Sequence, residues 1–143
     1  MAEGWLTYLT AIRQKSTLPG ALRELVIMRV AILNGAPYEA DQHAPIALKE
    51  GMTQAQLDAL PAWQDSALFD DTERAVLAYT DAMTRNIQVD APVFEAIRER
   101  FPHLYRHDAT PIHRALWQAA TECLVVEKVP GGEGEYVFMP LES

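Results

Sequence analysis

Glu24 is the first of two residues that could exchange protons from an otherwise apolar setting. The residues that share its helical face are apolar: Ile27, Met28 and Ala31. An unpaired buried carboxylate is very costly, so such a residue is usually hydrogen bonded, ion paired or protonated. The pattern therefore predicts a partner for Glu24. The partner is either a side chain of another helix or a neighbouring arginine, Arg23 or Arg29, at the edge of the core.

His43 is the second residue that could exchange protons, because an imidazole changes its charge near neutral pH and is the commonest general acid or base. Its helical face carries one carboxylate and three small residues: Glu39, Ala36, Ala40 and Ala47. Small side chains allow either close helix contact or room for a substrate beside the ring. A histidine that is simply hydrogen bonded in the core fits the same pattern, and the sequence does not choose between the two interpretations.

Composition excludes some classes of partner. The chain has 20 acidic against 12 basic residues, a net charge of -8, and no basic cluster, which argues against nucleic acid binding. No run approaches the roughly 20 apolar residues of a membrane span, and the start does not resemble a signal peptide. The single cysteine, Cys123, fits a reducing compartment. We therefore expect a cytoplasmic protein without a membrane partner.

The elements that position Glu24 and His43 are predicted to be helices. Apolar residues recur at spacings of three and four, which predicts one all-α domain over residues 1–143, a bundle of about six to seven helices with 127–143 as a tail. Alternation with period two occurs only in "EYVFM" near the end. The predicted helices cover about 3–13, 18–33, 37–50, 52–60, 70–86, 90–101 and 111–126.

Turn and capping residues set several of these boundaries. Gly51 is a plausible end for the helix over 37–50, and Thr53 with Gln56 has the residue types of a capping box. The apolar face predicted for the helix over 70–86 is Ala75, Leu77, Ala78, Ala82 and Met83. The helices over 18–33 and 37–50 are joined by a tight turn at Asn34-Gly35, so any chemistry that they share would lie where they touch.

Two stretches resemble one known family. "LPGALRELVIMRVAILNGAPYEADQHAPIALKEGMT" and "LFDDTERAVLAYTDAMT" are similar to the carboxymuconolactone decarboxylase and alkylhydroperoxidase D-like family, over residues 18–101. The resemblance implies an all-α fold of small subunits that assemble into trimers or hexamers. In the peroxidase branch a glutamate precedes a C-x-x-C pair and a histidine; these positions fall on Glu24, Ala36, Glu39 and His43. Neither alanine nor glutamate can attack a peroxide or resolve the product, so we expect no dithiol peroxidase.

The decarboxylase branch works without the cysteine pair, and the resemblance therefore implies a cofactor-free acid–base enzyme, a lyase on a small carboxylic acid or lactone. The candidate catalytic residues are His43, Glu24, Glu39 and Tyr38. The candidate pocket residues are Ala36, Ala40, Met28, Arg29 and Trp63, with Arg29 as the cation expected nearest the pocket. The alternative is a non-catalytic oligomeric scaffold or small-molecule binder, in which Glu24 and His43 only hydrogen bond across the helix pair.

A metal site is the weaker interpretation of the later histidines. The residues concerned are His103, His107, Asp108 and His113. Pro102 and the "HDATP" break argue against one continuous helix, and no second group has a zinc-binding spacing. We expect these to be solvated loop side chains, with no bound metal.

Overall fold

The computed structural model describes residues 18–86 and 88–101, and the backbone of two short strands. Its helices are α1 (Gly20–Leu33), α2 (Pro37–Lys49), α3 (Gln54–Ala59), a 3₁₀ helix (Leu60–Asp65), α4 (Asp71–Asn86) and α5 (Ala91–Arg100). The strands, β1 (Glu127–Lys128) and β2 (Tyr136–Val137), pair antiparallel. The predicted helical fold is confirmed. The helices expected over 3–13 and 111–126 lie outside the described residues.

Helix α1 is the centre of the described bundle. Every residue from 24 to 31 is buried, as expected for a helix that is apolar on nearly every side. It packs against α2 on one side and against α4 on another. Gly35, with φ of 64°, lies in the short turn that brings α2 back along α1, so the predicted hairpin is present.

Local signals explain where the next helices begin and end. Gly51, at φ of 110°, ends α2 in a backbone conformation that side-chain-bearing residues rarely adopt. Thr53 Oγ1 then accepts a hydrogen bond from the backbone N–H of Gln56 at 3.2 Å, within the predicted capping box. Asp70 and Glu73 form a second reciprocal pair before α4, with both hydrogen bonds at 2.8 Å.

The 3₁₀ helix was not among the helices predicted from the sequence, which assigned no element to residues 61–69. Its end is held by Arg74 of α4, whose guanidinium donates to the carbonyl oxygens of Ser66 and Gln64, each at 2.8 Å. The same guanidinium lies 5.4 Å from the centre of the Trp63 ring. The conformation therefore depends on a residue from a later helix.

The buried face of α4 differs from the predicted one. Buried in α4 are Ala75, Val76, Leu77, Tyr79, Thr80 and Asp81, whereas Ala78, Ala82 and Met83 are only partly buried. Two polar residues turn inward because their side chains have partners there. Thr80 donates its hydroxyl to the Val76 carbonyl oxygen at 2.7 Å, and Asp81 binds Arg29. Among the described helices, none has the length and apolar content needed to cross a membrane.

Candidate acid–base site

Glu24 of α1 and His43 of α2 meet in the contact between the two helices. His43 Nδ1 lies 2.7 Å from Glu24 Oε2, although the residues are 19 positions apart in sequence. Both are buried, with 2% of Glu24 and 4% of His43 exposed. The partner that the apolar face of Glu24 required is thus a side chain of the neighbouring helix. At 2.7 Å the contact has the length of a charge-assisted hydrogen bond.

The ionisation state of Glu24 determines which of the two residues carries the hydrogen in this contact. Burial by itself raises the pKa of Glu24, but the hydrogen bond and positive charge of His43, with those of Arg23, outweigh burial and hold that pKa below its ordinary value of 4.5. At neutral pH Glu24 is therefore a carboxylate, which can only accept hydrogen bonds. Nδ1 of His43 must then carry a hydrogen, and Nε2 is the ring nitrogen whose protonation can change.

Arg23 contacts Glu24 from the other side. Its Nε donates to Glu24 Oε1 at 3.1 Å, so the two carboxylate oxygens of Glu24 are divided between Arg23 and His43. The two partners that the sequence offered as alternatives, another helix and a neighbouring arginine, are therefore present together. Arg23 was absent from the residues predicted to form the site, and its adjacency to Glu24 in the sequence is the signal that could have placed it there.

Glu39 lies on the opposite side of the imidazole from Glu24. One of its carboxylate oxygens, Oε2, is 3.8 Å from His43 Nε2, one helical turn away on α2. Glu39 is mostly buried, whereas Tyr38 is 38% exposed. The structure thus brings Glu39 into the same buried region as His43, whereas Tyr38 is partly open to solvent.

The small residues of the predicted pocket lie around this part of α2. Ala36 is the residue at which α2 begins, and both Ala36 and Ala40 are partly buried. Ala40 packs against the hydrophobic core, to which Met28 of α1 belongs. Ala36 and Glu39, the residues on which the resemblance places the cysteine pair, carry no sulfur, and Cys123 lies outside the described residues.

Arg29 and Trp63, both predicted pocket residues, lie in a different cluster, and the structure does not bring them to Glu24 and His43. Residues 24 and 29 point about 140° apart on a helix with 3.6 residues per turn. Arg29 is directed towards α4, where it pairs with Asp81. Trp63 Nε1 donates to the same carboxylate at 3.3 Å. Among the described residues, the cation in contact with Glu24 is Arg23.

Arg29 has the contacts of a structural residue. Its Nη1 donates to the carbonyl oxygens of Leu60 and Pro61, at 3.0 and 3.2 Å, in addition to its two bonds with Asp81. Within the described ranges no group of three or more His, Cys, Asp or Glu residues could hold a metal ion. His103, His107, Asp108 and His113 lie outside those ranges.

The fold has a solved counterpart. A crystal structure from Agrobacterium tumefaciens, described as a protein of unknown function and a candidate antioxidant defence protein AhpD, superposes with a TM-score of 0.74 at 22% identity. The superposition covers 85% of this chain and 83% of that one. At this identity the similarity concerns the fold alone.

Two curated proteins are similar in sequence. The uncharacterized protein YdfG of Bacillus subtilis (strain 168) is 27% identical over 90 residues, which is 62% of this chain and 61% of YdfG. Oleoyl-12-hydroxylase FAH12 of Ricinus communis is 43% identical over 44 residues, 31% of this chain and 11% of that protein. The chain thus spans less than two thirds of either relative.

The sequence profile of one family covers the site. The profile of the carboxymuconolactone decarboxylase family matches residues 1–82, more than half of the chain. The matched segment includes α1, α2 and the contact between Glu24 and His43. The chain therefore belongs to the carboxymuconolactone decarboxylase family.

Proposed function

We propose that the protein is a cofactor-free acid–base enzyme, a decarboxylase-like lyase that acts on a small carboxylic acid or lactone. The observation that carries the proposal is the 2.7 Å contact between His43 Nδ1 and Glu24 Oε2. A carboxylate on one ring nitrogen fixes the orientation and tautomer of an imidazole and stabilises its protonated form. Those are the properties of a histidine that transfers protons.

The proposed step is the protonation of a carbanion-like intermediate. When the bond to the carboxyl carbon of the substrate breaks, carbon dioxide leaves and its bonding electron pair stays on the substrate carbon. His43 then gives its Nε2 proton to that carbon and becomes neutral, while Glu24 retains the hydrogen bond from Nδ1. Glu39, 3.8 Å from Nε2, is placed to take part in restoring the proton.

The residues at the cysteine positions support an acid–base reaction rather than a thiol reaction. Ala36 cannot supply a nucleophile, and Glu39 supplies a carboxylate at the place of the second thiol. A carboxylate beside an imidazole provides a second group that can hold a proton. Tyr38 is the remaining candidate catalytic residue. It is more exposed than the others, and we propose that its hydroxyl forms a hydrogen bond with the substrate.

The alternative, a non-catalytic binder or scaffold, is favoured by one observation. Glu24 and His43 are almost fully buried by their own chain, and both oxygens of Glu24 accept hydrogen bonds from described residues. A pair sealed in this way would serve only to join α1 to α2. The two functions differ in whether His43 exchanges its Nε2 proton with a bound molecule.

We further propose that the subunits form a homo-oligomer, a trimer or hexamer. Three large apolar side chains of α2 are exposed on the single chain: Tyr38, Ile46 and Leu48. Contiguous exposed apolar patches often mark subunit contacts, and we propose that these side chains contribute to such a contact. Light scattering on the purified protein measures the mass directly, and a monomer at micromolar concentration would contradict this proposal.

A substrate screen followed by one matched pair of variants tests the function. Small carboxylic acids and lactones are incubated with the protein, and release of carbon dioxide or loss of the lactone is followed. His43→Gln is expected to lower kcat by about 100-fold or more, the contribution of a general acid or base. The control is Arg98→Gln, which alters an exposed arginine paired with Glu95 on α5.

The outcomes separate the two functions. An unchanged rate in a folded His43→Gln protein would exclude His43 as the proton donor. Saturable binding of an acid or lactone that is never converted, equally in wild type and His43→Gln, would support the binder. Circular dichroism of each variant shows whether the helices are retained.

A further inference from the structure

Arg23 lies between two carboxylates at the start of α1. Its Nε donates to Glu24 Oε1 at 3.1 Å, and its Nη2 lies 3.8 Å from Glu50 Oε1. The Glu50 carboxylate rests against the backbone of Gly20, where a Cβ atom would be 1.7 Å from Glu50 Oε2. A side chain at Gly20 would occupy the position of the Glu50 carboxylate, and Glu50 would then have to move.

The contacts join five charged or titratable side chains in a row. In order they are Glu50, Arg23, Glu24, His43 and Glu39. Acidic groups alternate with basic ones, so each inner member has an opposite charge on both sides when His43 is protonated. Arg29 and Asp81, the other charged residues buried on α1 and α4, pair with each other on another side of α1.

The row has a consequence for the proton transfer proposed for His43. A general acid spends part of its cycle neutral, and during that interval it no longer offers a positive charge to Glu24. Burial favours the protonated, uncharged form of a carboxyl group, so Glu24 needs a second cation if it is to stay ionised. Arg23 remains charged throughout, because a guanidinium does not lose its proton in proteins.

We propose that Arg23 is a positioning residue for this reaction: it keeps Glu24 ionised and oriented when His43 is neutral, so that His43 retains the tautomer with hydrogen on Nδ1. Arg23 acts through Glu24 and not on the substrate. The inference rests on the proposed function for its catalytic meaning. Its structural content, the ionisation of Glu24 and the tautomer of His43, is independent of any substrate.

The test compares Arg23→Gln and Arg23→Lys with the control Arg98→Gln in the full chain. The ring ¹⁵N shifts of His43 report its tautomer, and the side-chain ¹³C shift of Glu24 reports its ionisation. Arg23→Gln is expected to raise the pKa of Glu24, because burial is then opposed by His43 alone. Arg23→Gln should also increase the fraction of the His43 tautomer that carries its hydrogen on Nε2. Arg23→Lys keeps the positive charge and should recover most of both properties.

Activity provides the second readout. Arg23→Gln should lower kcat by about 10-fold to 100-fold, the loss seen when the outer partner of a functional histidine is removed, with KM little changed. The acidic limb of its pH profile should move to higher pH, since Glu24 is protonated sooner. Arg23→Lys should restore that limb towards its original position.

The two proposals fail in different ways. If no substrate is converted but Arg23→Gln still changes the Glu24 titration and the His43 tautomer, the lyase function fails and the role of Arg23 stands. If a folded Arg23→Gln protein titrates at Glu24 as the wild type does, and keeps its tautomer, Arg23 has no positioning role, whatever the activity.

Discussion

Arg29 and Asp81, 52 positions apart in sequence, form a buried two-point ion pair between α1 and α4. The distances are 2.6 Å from Nε to Oδ1 and 2.8 Å from Nη2 to Oδ2. The carboxylate also accepts hydrogen bonds from Trp63 and Gln64, and the guanidinium also donates to two backbone carbonyls of the 3₁₀ helix. A buried charge pair with its hydrogen bonds satisfied is tolerated, whereas loss of one member leaves the other uncompensated.

Asp81→Asn should therefore destabilise the fold strongly, by about 3 to 5 kcal/mol of unfolding free energy, because Arg29 would be left as an unpaired buried cation. Urea denaturation followed by circular dichroism measures the loss. Glu95→Gln is the matched control: it breaks the exposed pair with Arg98 and should cost less than about 1 kcal/mol. Equal effects of the two substitutions would show that the buried pair has no special role.

Glu24→Gln should change how stability depends on pH. The pKa of Glu24 is lower in the folded protein than its ordinary value, so its ionised form stabilises the fold above that value, and this contribution is lost as pH falls through the folded pKa. Urea denaturation of wild type and Glu24→Gln between about pH 5 and about pH 3 measures the difference. The gap in unfolding free energy should narrow with acidification. A gap that stays constant or widens would contradict the lowered pKa.

Gly51→Ala and Gly35→Ala isolate the effect of backbone conformation. At neither glycine would a Cβ atom meet another atom within 4 Å, so packing does not enter the comparison. Gly35, at φ of 64°, is in the left-handed region, where alanine is strained by about 1 to 2 kcal/mol. Gly51, at φ of 110°, lies farther from the φ of about 57° at which residues with a side chain adopt the left-handed conformation, so its substitution should cost more. Thermal unfolding of both variants ranks the two, and a larger loss for Gly35→Ala would contradict the argument.

Cys123→Ser should leave peroxide consumption unchanged in the presence of thiol reductants. Dithiol peroxide reduction needs an attacking thiolate and a resolving thiol, and the sequence contains one cysteine. Consumption of hydrogen peroxide by wild type and variant, with a dithiol donor, measures this. A cysteine-dependent rate that disappears in Cys123→Ser would show that thiol chemistry persists in this chain.

The sequence predicted those features that depend on local chemistry. Gly51 ends α2 through its backbone conformation, and the capping box of Thr53 and Gln56 begins α3 through its hydrogen bonds. The end of α2 and the start of α3 were therefore predicted closely. The juxtaposition of Glu24 and His43 also followed, because one short turn forces α1 and α2 together and each residue lies on a face of mainly small or apolar side chains. These signals act over a few residues, or across a single tight connection.

Features that depend on distant partners were not predicted. The 3₁₀ helix is held by Arg29 and Arg74, which come from elements that precede and follow it. The direction of Arg29 is decided by Asp81, and Asp81 is itself buried only because Arg29 is there. No spacing along the chain reports such a mutual dependence. For the same reason the apolar pattern of α4 predicted only part of its inward face: Ala75 and Leu77 are buried as expected, whereas the burial of Thr80 and Asp81 was not predicted.

The placement of two ionic contacts on different sides of α1 limits how that helix can move. Glu24 is joined to His43 of α2, and Arg29 to Asp81 of α4. A turn of α1 about its own axis by one residue, about 100°, or a slide by one helical turn, would break both contacts at once and separate all four groups from their partners on the neighbouring helices. A uniformly apolar helix could pack against its neighbours in several rotations and axial positions of nearly equal free energy. The charged groups instead favour one rotation and one axial position of α1. The Arg29 and Asp81 ion pair therefore helps to keep Glu24 opposite His43, although it does not contact the imidazole.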